Sequence, residues 1–155
     1  MITDRYFEDY VVGEVTRSEL FSISEEMVAT YLKLVGDDHA VHSDKEFCRR
    51  RFGSPDLVVP GCLILALADS YWANLVTPSD PFSPHYGQDK VRYLGRLTCG
   101  EEVSCEFTLK ESICKDTLYG MLVYETYVKK TDGTPVLYEI DKVLVPFREK
   151  QPAVL

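Results

Sequence analysis

The sequence has no excess of basic charge: 17 Lys and Arg stand against 25 Asp and Glu, a formal net charge of -8. That balance argues against nucleic acid or an anionic membrane as the main partner. It lacks a basic N-terminal region followed by an apolar run, so Met-Ile-Thr-Asp-Arg-Tyr predicts no signal peptide. Its longest apolar run, Cys62 to Ala68, falls far short of the roughly 20 residues needed to span a bilayer. The cysteines at 48, 62, 99, 105 and 114 are odd in number and lack CxxC spacing. Reduced thiols in a cytoplasmic protein are the expectation. No internal repeat is evident.

What remains is compact in composition. A length of 155 residues suits one domain, 1–155, with one core. A hydrophobic fraction of 45% and ten tyrosines leave little room for disorder. Glu14 to Ile23 alternates roughly and predicts a strand. Ser24 before Glu25-Glu26 predicts a helix N-cap with two acids in the first turn. Val28, Tyr31, Leu32 and Val35 then form one apolar helical face, with Gly36 as terminator. Ser43-Asp-Lys-Glu46 is a capping-box pattern for a second short helix, ended by Gly53. Leu57 to Val59 is extended, biased that way by Pro60. From Gly61 to about Val76 apolar residues occur on nearly every side, which predicts a buried helix. Thr77 to Gly87, with its prolines, reads as a loop. Val91–Leu94, Val103–Leu109, Met121–Val128 and Val136–Phe147 read as strands, the last two joined through the Thr131–Thr134 turn. The sum is an α+β domain: an antiparallel sheet wrapped around one long central helix.

The stretch that concentrates chemistry is Gly-Asp-Asp-His-Ala-Val-His-Ser-Asp, Gly36 to Asp44. It holds two of the three histidines and three carboxylates. No other segment gathers so many groups able to move a proton near neutral pH. About twenty residues on, Val58-Val-Pro-Gly-Cys-Leu63 opens the most apolar helix. The two pieces are read as one site, the first giving acid/base groups and the second a backbone amide at a helix N-terminus.

The order of strand, amphipathic helix, Gly-Asp-x4-His-x-Asp, short helix, x-x-Gly, buried helix and antiparallel strands resembles the MaoC-like dehydratases. These include the (R)-specific enoyl-CoA hydratases of the hotdog fold. The resemblance covers roughly Phe7 to Arg148 and is sharpest from Gly36 to Asp44. Val91-Arg-Tyr-Leu94 and Gly100-Glu101-Glu102-Val103 resemble the family's later strand and turn. It implies that Asp37 and His42 are the catalytic dyad and that the Gly61 amide polarises a thioester carbonyl. His39-Ala40 stands where Asn-Pro is usual, and Pro60 where His precedes the glycine. His39, Pro60 and Cys62 therefore become candidate substrate-binding positions on an altered pocket wall. Arg49 and Arg50, within Arg49–Arg51, are candidates for coenzyme A phosphates or an acidic carrier face. The implied substrate is an acyl-CoA or acyl-carrier thioester, with no further cofactor and no metal, in a homodimer or higher homo-oligomer.

A plainer reading stands beside each residue. Asp37 bonds loop amides in many such turns, and His42 in many such places caps a helix. His39 with Asp37, Asp38 and Asp44 has metal-ligand chemistry, though loops of this kind are more often unmetallated. Asp69 is either a pocket carboxylate or a hydrogen-bonded polar position near the helix's free end. The arginines fit a solvated helix face, and His85 fits the surface or a tunnel mouth. Three functions follow: an enoyl-thioester hydratase/dehydratase, a hotdog acyl-CoA thioesterase, and a non-catalytic acyl-thioester-binding module. The Gly-Asp-x4-His order favours the first, while Asp69 keeps the second open.

Overall fold

A computed structural model of the chain describes residues 5–76 and 83–149. A 3-10 turn at Phe7–Asp9 leads to β1 (Val15–Arg17), β2 (Phe21–Ser22), α1 (Glu25–Val35), α2 (Ala40–Ser43), α3 (Lys45–Phe52) and α4 (Gly61–Leu75). Four longer strands follow: β3 (His85–Tyr93), β4 (Glu102–Cys114), β5 (Tyr119–Lys130) and β6 (Pro135–Pro146). The sheet runs β1-β4-β5-β6-β3, antiparallel throughout, with β2 also paired to β4. α4 packs on this sheet, giving the hotdog arrangement expected from the sequence.

Local chemistry explains most boundaries. The Ser24 hydroxyl accepts from Met27 N at 3.2 Å, starting α1, and Gly36 ends it in the left-handed region at φ 73. Gly53 ends α3 in the same way at φ 68. Asp132 accepts from Thr134 N at 2.9 Å, and Gly133 takes φ 85, closing the β5–β6 hairpin.

Period-two burial sets the core. Val103, Cys105, Phe107 and Leu109 of β4 point inward, as do Leu137, Glu139, Asp141, Val143 and Val145 of β6. They meet Leu63, Ile64, Ala68 and Trp72 of α4, with Trp72 edge-on to Tyr124 at 5.7 Å. Each such aliphatic or aromatic burial is worth about 1.5–3 kcal/mol. All five cysteines are free thiols. No helix among the described residues is long and apolar enough to cross a membrane.

Four expectations are corrected. The predicted Glu14–Ile23 strand is two short strands: at Ser18 the backbone N–H still donates to Cys105 O at 3.0 Å, but Cys105 N donates to the Ser18 hydroxyl at 2.8 Å instead of to a backbone carbonyl. α3 is capped by Asp44, which accepts from Phe47 N at 3.0 Å, rather than by Ser43. Ser43 is taken up by the extra turn α2 and donates to His39 O. α4 is buried on one side only; Cys62, Ala66 and Ala73 are exposed, because the sheet of one chain covers a single flank. His85 to Gly87 belong to β3 rather than to a loop, and residues 77–82 of that expected loop lie outside the described residues.

Ser24→Ala should cost about 1 kcal/mol through the lost cap. Phe107→Ala should cost about 3–5 kcal/mol, because a fully buried ring leaves a cavity behind. Urea unfolding with an unchanged m-value checks both.

Candidate active site

His42 sits in the single-turn helix α2, between the end of α1 and the cap of α3. Its Nδ1 lies 2.6 Å from Val58 O, in the extended segment before α4. A carbonyl only accepts, so Nδ1 carries the proton. Neutral His42 therefore keeps Nε2 free as a base. Val58 is itself held by its amide to Val41 O and by its bridge to Thr98. The ring is thus tied to the two segments that meet in front of α4.

That ring lines a cavity of about 320 Å³ together with Gly61, Cys62, Tyr93 and Arg96. Gly61 opens α4 directly after Pro60, which serves as its N-cap. The first amides of a helix have no intrahelical partner and carry the positive end of the dipole. Leu63 N and Ile64 N are satisfied by Pro60 O, at 3.0 and 3.2 Å. The N–H groups of Gly61 and Cys62 belong to the preceding, unpaired positions of that turn. The Tyr93 ring lies flush on Gly61: a Cβ there would stand 2.7 Å from its Cε1. Glycine is required here for close approach rather than for an unusual φ.

Asp37 is not among the residues lining this cavity. Its Oδ1 accepts from His39 N at 3.0 Å and from His39 Nδ1 at 2.6 Å. The His39 amide, then the His39 ring, and more weakly the His42 charge, hold the Asp37 carboxyl below its ordinary value. His39 is raised in turn, first by its bond to Asp37. So the structure brings His42, Gly61 and Cys62 to one wall and turns Asp37 toward His39, which is 79% exposed.

Tyr31 links the two halves. Its phenol is pushed up by burial first, and then by Cys62 and Asp37. Tyr93 OH lies 3.5 Å from Cys62 Sγ, and burial pushes it up to about 12. Sequence reasoning assigned no role to Tyr31, Tyr93 or Arg96. Tyr93 lay inside Val91-Arg-Tyr-Leu94, which stood out only as a strand. Arg96 stacks on Phe52 at 4.3 Å, joining the cavity wall to the end of α3. Arg49 pairs with Glu46 at 2.9 Å and Arg50 reaches the same carboxylate at 3.9 Å, both on the exposed face of α3.

A second polar group lies on the sheet side of α4. Asp69 is half-buried and accepts from Gln88 Nε2 at 2.9 Å; burial pushes its carboxyl up to about 6. His85 Nε2 is 2.5 Å from Asp141 Oδ1, and that bond raises the imidazole. His85 is exposed, as expected of a surface histidine, and lies at the edge of a cavity with Asp141 as its partner.

Residues 10–139 match the family model described as FAS1-like, dehydratase domain region. Among solved structures, the chain is similar to the monoamine oxidase regulatory protein from Archaeoglobus fulgius, at 25% identity and TM-score 0.83, covering 94% of this chain and 97% of that one. It is similar to the R-hydratase PhaJ1 from Pseudomonas aeruginosa, at 18% identity and TM-score 0.77, covering 97% and 95%. It is also similar to the (R)-hydratase from A. caviae involved in PHA biosynthesis, at 19% identity and TM-score 0.75, covering 94% and 99%. No curated protein matches the sequence. The matches bear out the MaoC-like resemblance and the hotdog fold.

The Asp37–His39 pair has a checkable titration. The bond raises His39 above its ordinary 6.5. Its stabilisation is therefore present below that pH and lost as pH rises through the raised value. From the Asp37 side, it is present above the ordinary 3.8 and lost as pH falls through the lowered value. NMR should place the His39 midpoint above 6.5, and Asp37→Asn should bring it back down.

Proposed function

The chain belongs to the family of FAS1-like dehydratase domain regions, and from that premise we propose that it adds water reversibly to a trans-2-enoyl thioester. The observation that carries this reading is the anchoring of His42 Nδ1 on Val58 O, on a wall shared with the first amides of α4. A base with one fixed nitrogen and a helix N-terminus beside it meet the two needs of the reaction. One is proton transfer at Cα; the other is a donor for the charge that develops on the thioester oxygen.

In this mechanism a water is held between Asp37 and His42. Neutral His42 takes one proton at Nε2 as the water oxygen bonds to Cβ, and Asp37, lowered by His39 and hence ionised at neutral pH, orients that water. The double-bond electrons move to Cα and the carbonyl oxygen, where the Gly61 N–H receives the negative charge. The imidazolium so formed delivers its Nε2 proton to Cα, which returns His42 to the neutral form. Dehydration runs the same steps backwards. His39 acts on Asp37, and Pro60, Cys62 and Tyr93 shape the wall around the reacting carbons. Arg49 and Arg50 would meet the phosphates of coenzyme A or an acidic carrier at the mouth.

The catalytic unit we propose is a homodimer. The flank of α4 bearing Cys62, Ala66 and Ala73 is uncovered, and β3 is an edge strand carrying exposed Tyr86 and Tyr93. Light scattering of the purified chain should give twice the chain mass.

With a short trans-2-enoyl-CoA the enoyl absorbance should fall without release of free thiol. His42→Ala and Asp37→Asn should each lower kcat by about 10²- to 10⁴-fold. Hydration that survives both changes would remove the dyad; free thiol in place of hydration would mean a thioesterase; binding with neither would mean a non-catalytic acyl-thioester-binding module.

A further inference from the structure

The inward face of β6 carries two carboxylates, Glu139 and Asp141, where the alternation calls for apolar side chains. Asp69 of α4 and His85 of β3 face the same space. One ligand atom from each of Asp69, His85 and Asp141 can be taken so that all three lie within 4.8 Å of one another. Atoms bound at about 2.0–2.2 Å to a common ion fall within such separations. Asp69, Trp72, Ser83, His85, Asp141 and Val143 line a cavity of about 380 Å³ that opens beside them.

Among the described residues, two buried polar atoms here have no hydrogen-bond partner. Glu139 is 1% exposed and its Oε2 accepts no hydrogen bond. The charges acting on Glu139 are those of Asp141, Asp69 and His85, so it faces this cluster. Trp72 is 6% exposed, lines the cavity, and keeps its indole N–H without an acceptor. Among the described residues, His85 is the one base in an ion pair with any of the three acids. Three carboxylates sharing one imidazole in a half-enclosed space leave net negative charge, and burying unbalanced charge is unfavourable.

We propose that Asp69, His85 and Asp141 bind a divalent first-row transition ion, with Glu139 as a supporting carboxylate. One imidazole and two carboxylates suit the zinc, cobalt and manganese class. The ion would take the place of the proton shared by His85 Nε2 and Asp141 Oδ1, which passes to solvent. The Trp72 N–H is then positioned for a water or anionic group carried by the ion on its cavity side. This site lies on a different flank of α4 from the His42–Gly61 cavity, and the two share no lining residue.

Cobalt reports on the site directly. One equivalent of Co²⁺ added to the full-length chain should give visible d–d bands, and one equivalent of Zn²⁺ should bleach them. Asp141→Asn and His85→Ala should abolish the bands, and Glu139→Gln should weaken affinity about ten- to a hundredfold. Asp69→Asn, at a half-buried helix position, serves as the ligand variant least able to disturb folding, with circular dichroism as the check. His39→Ala should leave the bands unchanged. Absence of bands in the wild-type chain would overturn the proposal. So would bands that persist in Asp69→Asn, or bands lost in His39→Ala, which would move the ion to the Asp37–His39 loop.

Discussion

Helix α4 pressed against the sheet is the interaction on which the rest depends. Leu63, Ile64, Ala68 and Trp72 make one stripe, and they meet the inward residues of β4, β5 and β6. Because the stripe is buried, the helix cannot slide or turn, and its first residue is held in one place. Gly61 therefore presents its amide at a fixed point, with the Tyr93 ring against it and the Val58 carbonyl gripping His42 nearby. Dispersion and hydrophobic burial supply that rigidity.

The Asp37–His39 pair and the Asp69–His85–Asp141 group illustrate opposite electrostatic regimes. At the Asp37–His39 pair, solvent screens the charges and the pairing mainly sets which protonation state is favoured near neutral pH. On the sheet side, Glu139 and Asp141 replace two apolar positions of β6, and desolvation dominates: burial pushes Glu139 up to about 8. The first arrangement places a ready ion at a surface loop. The second keeps Glu139 largely protonated at neutral pH inside the fold, where ionisation is favoured only beside a cation.

Local rules were legible where the deciding contacts are local. Ser24 caps α1 and Gly36 and Gly53 end their helices because those hydrogen bonds and φ values concern neighbours within a turn. The same reasoning erred by one residue at α3, since Ser43 closes the helical turn Ala40–Ser43 that precedes it. It erred more at α4. Apolar residues on all sides suggest a fully buried helix, but burial depends on what surrounds it, and one sheet covers one side. His85 was misplaced for a related reason: a histidine among prolines reads as loop, whereas its partner, Asp141, lies 56 residues away.

The sequence by itself determined most of the helices and strands, their order, the family, and the segments richest in titratable side chains. Spacing, caps and turn residues act over a few positions, and their energies do not depend on the rest of the chain. Only the tertiary structure decided which of those residues share a wall. It joined His42 to Val58 and Gly61, laid Tyr93 over the glycine, and turned Asp37 toward His39. It also drew Asp69, His85, Glu139 and Asp141 together from one helix and two strands. Side-chain direction across packed elements follows from register and close packing, and those are properties of the assembled whole.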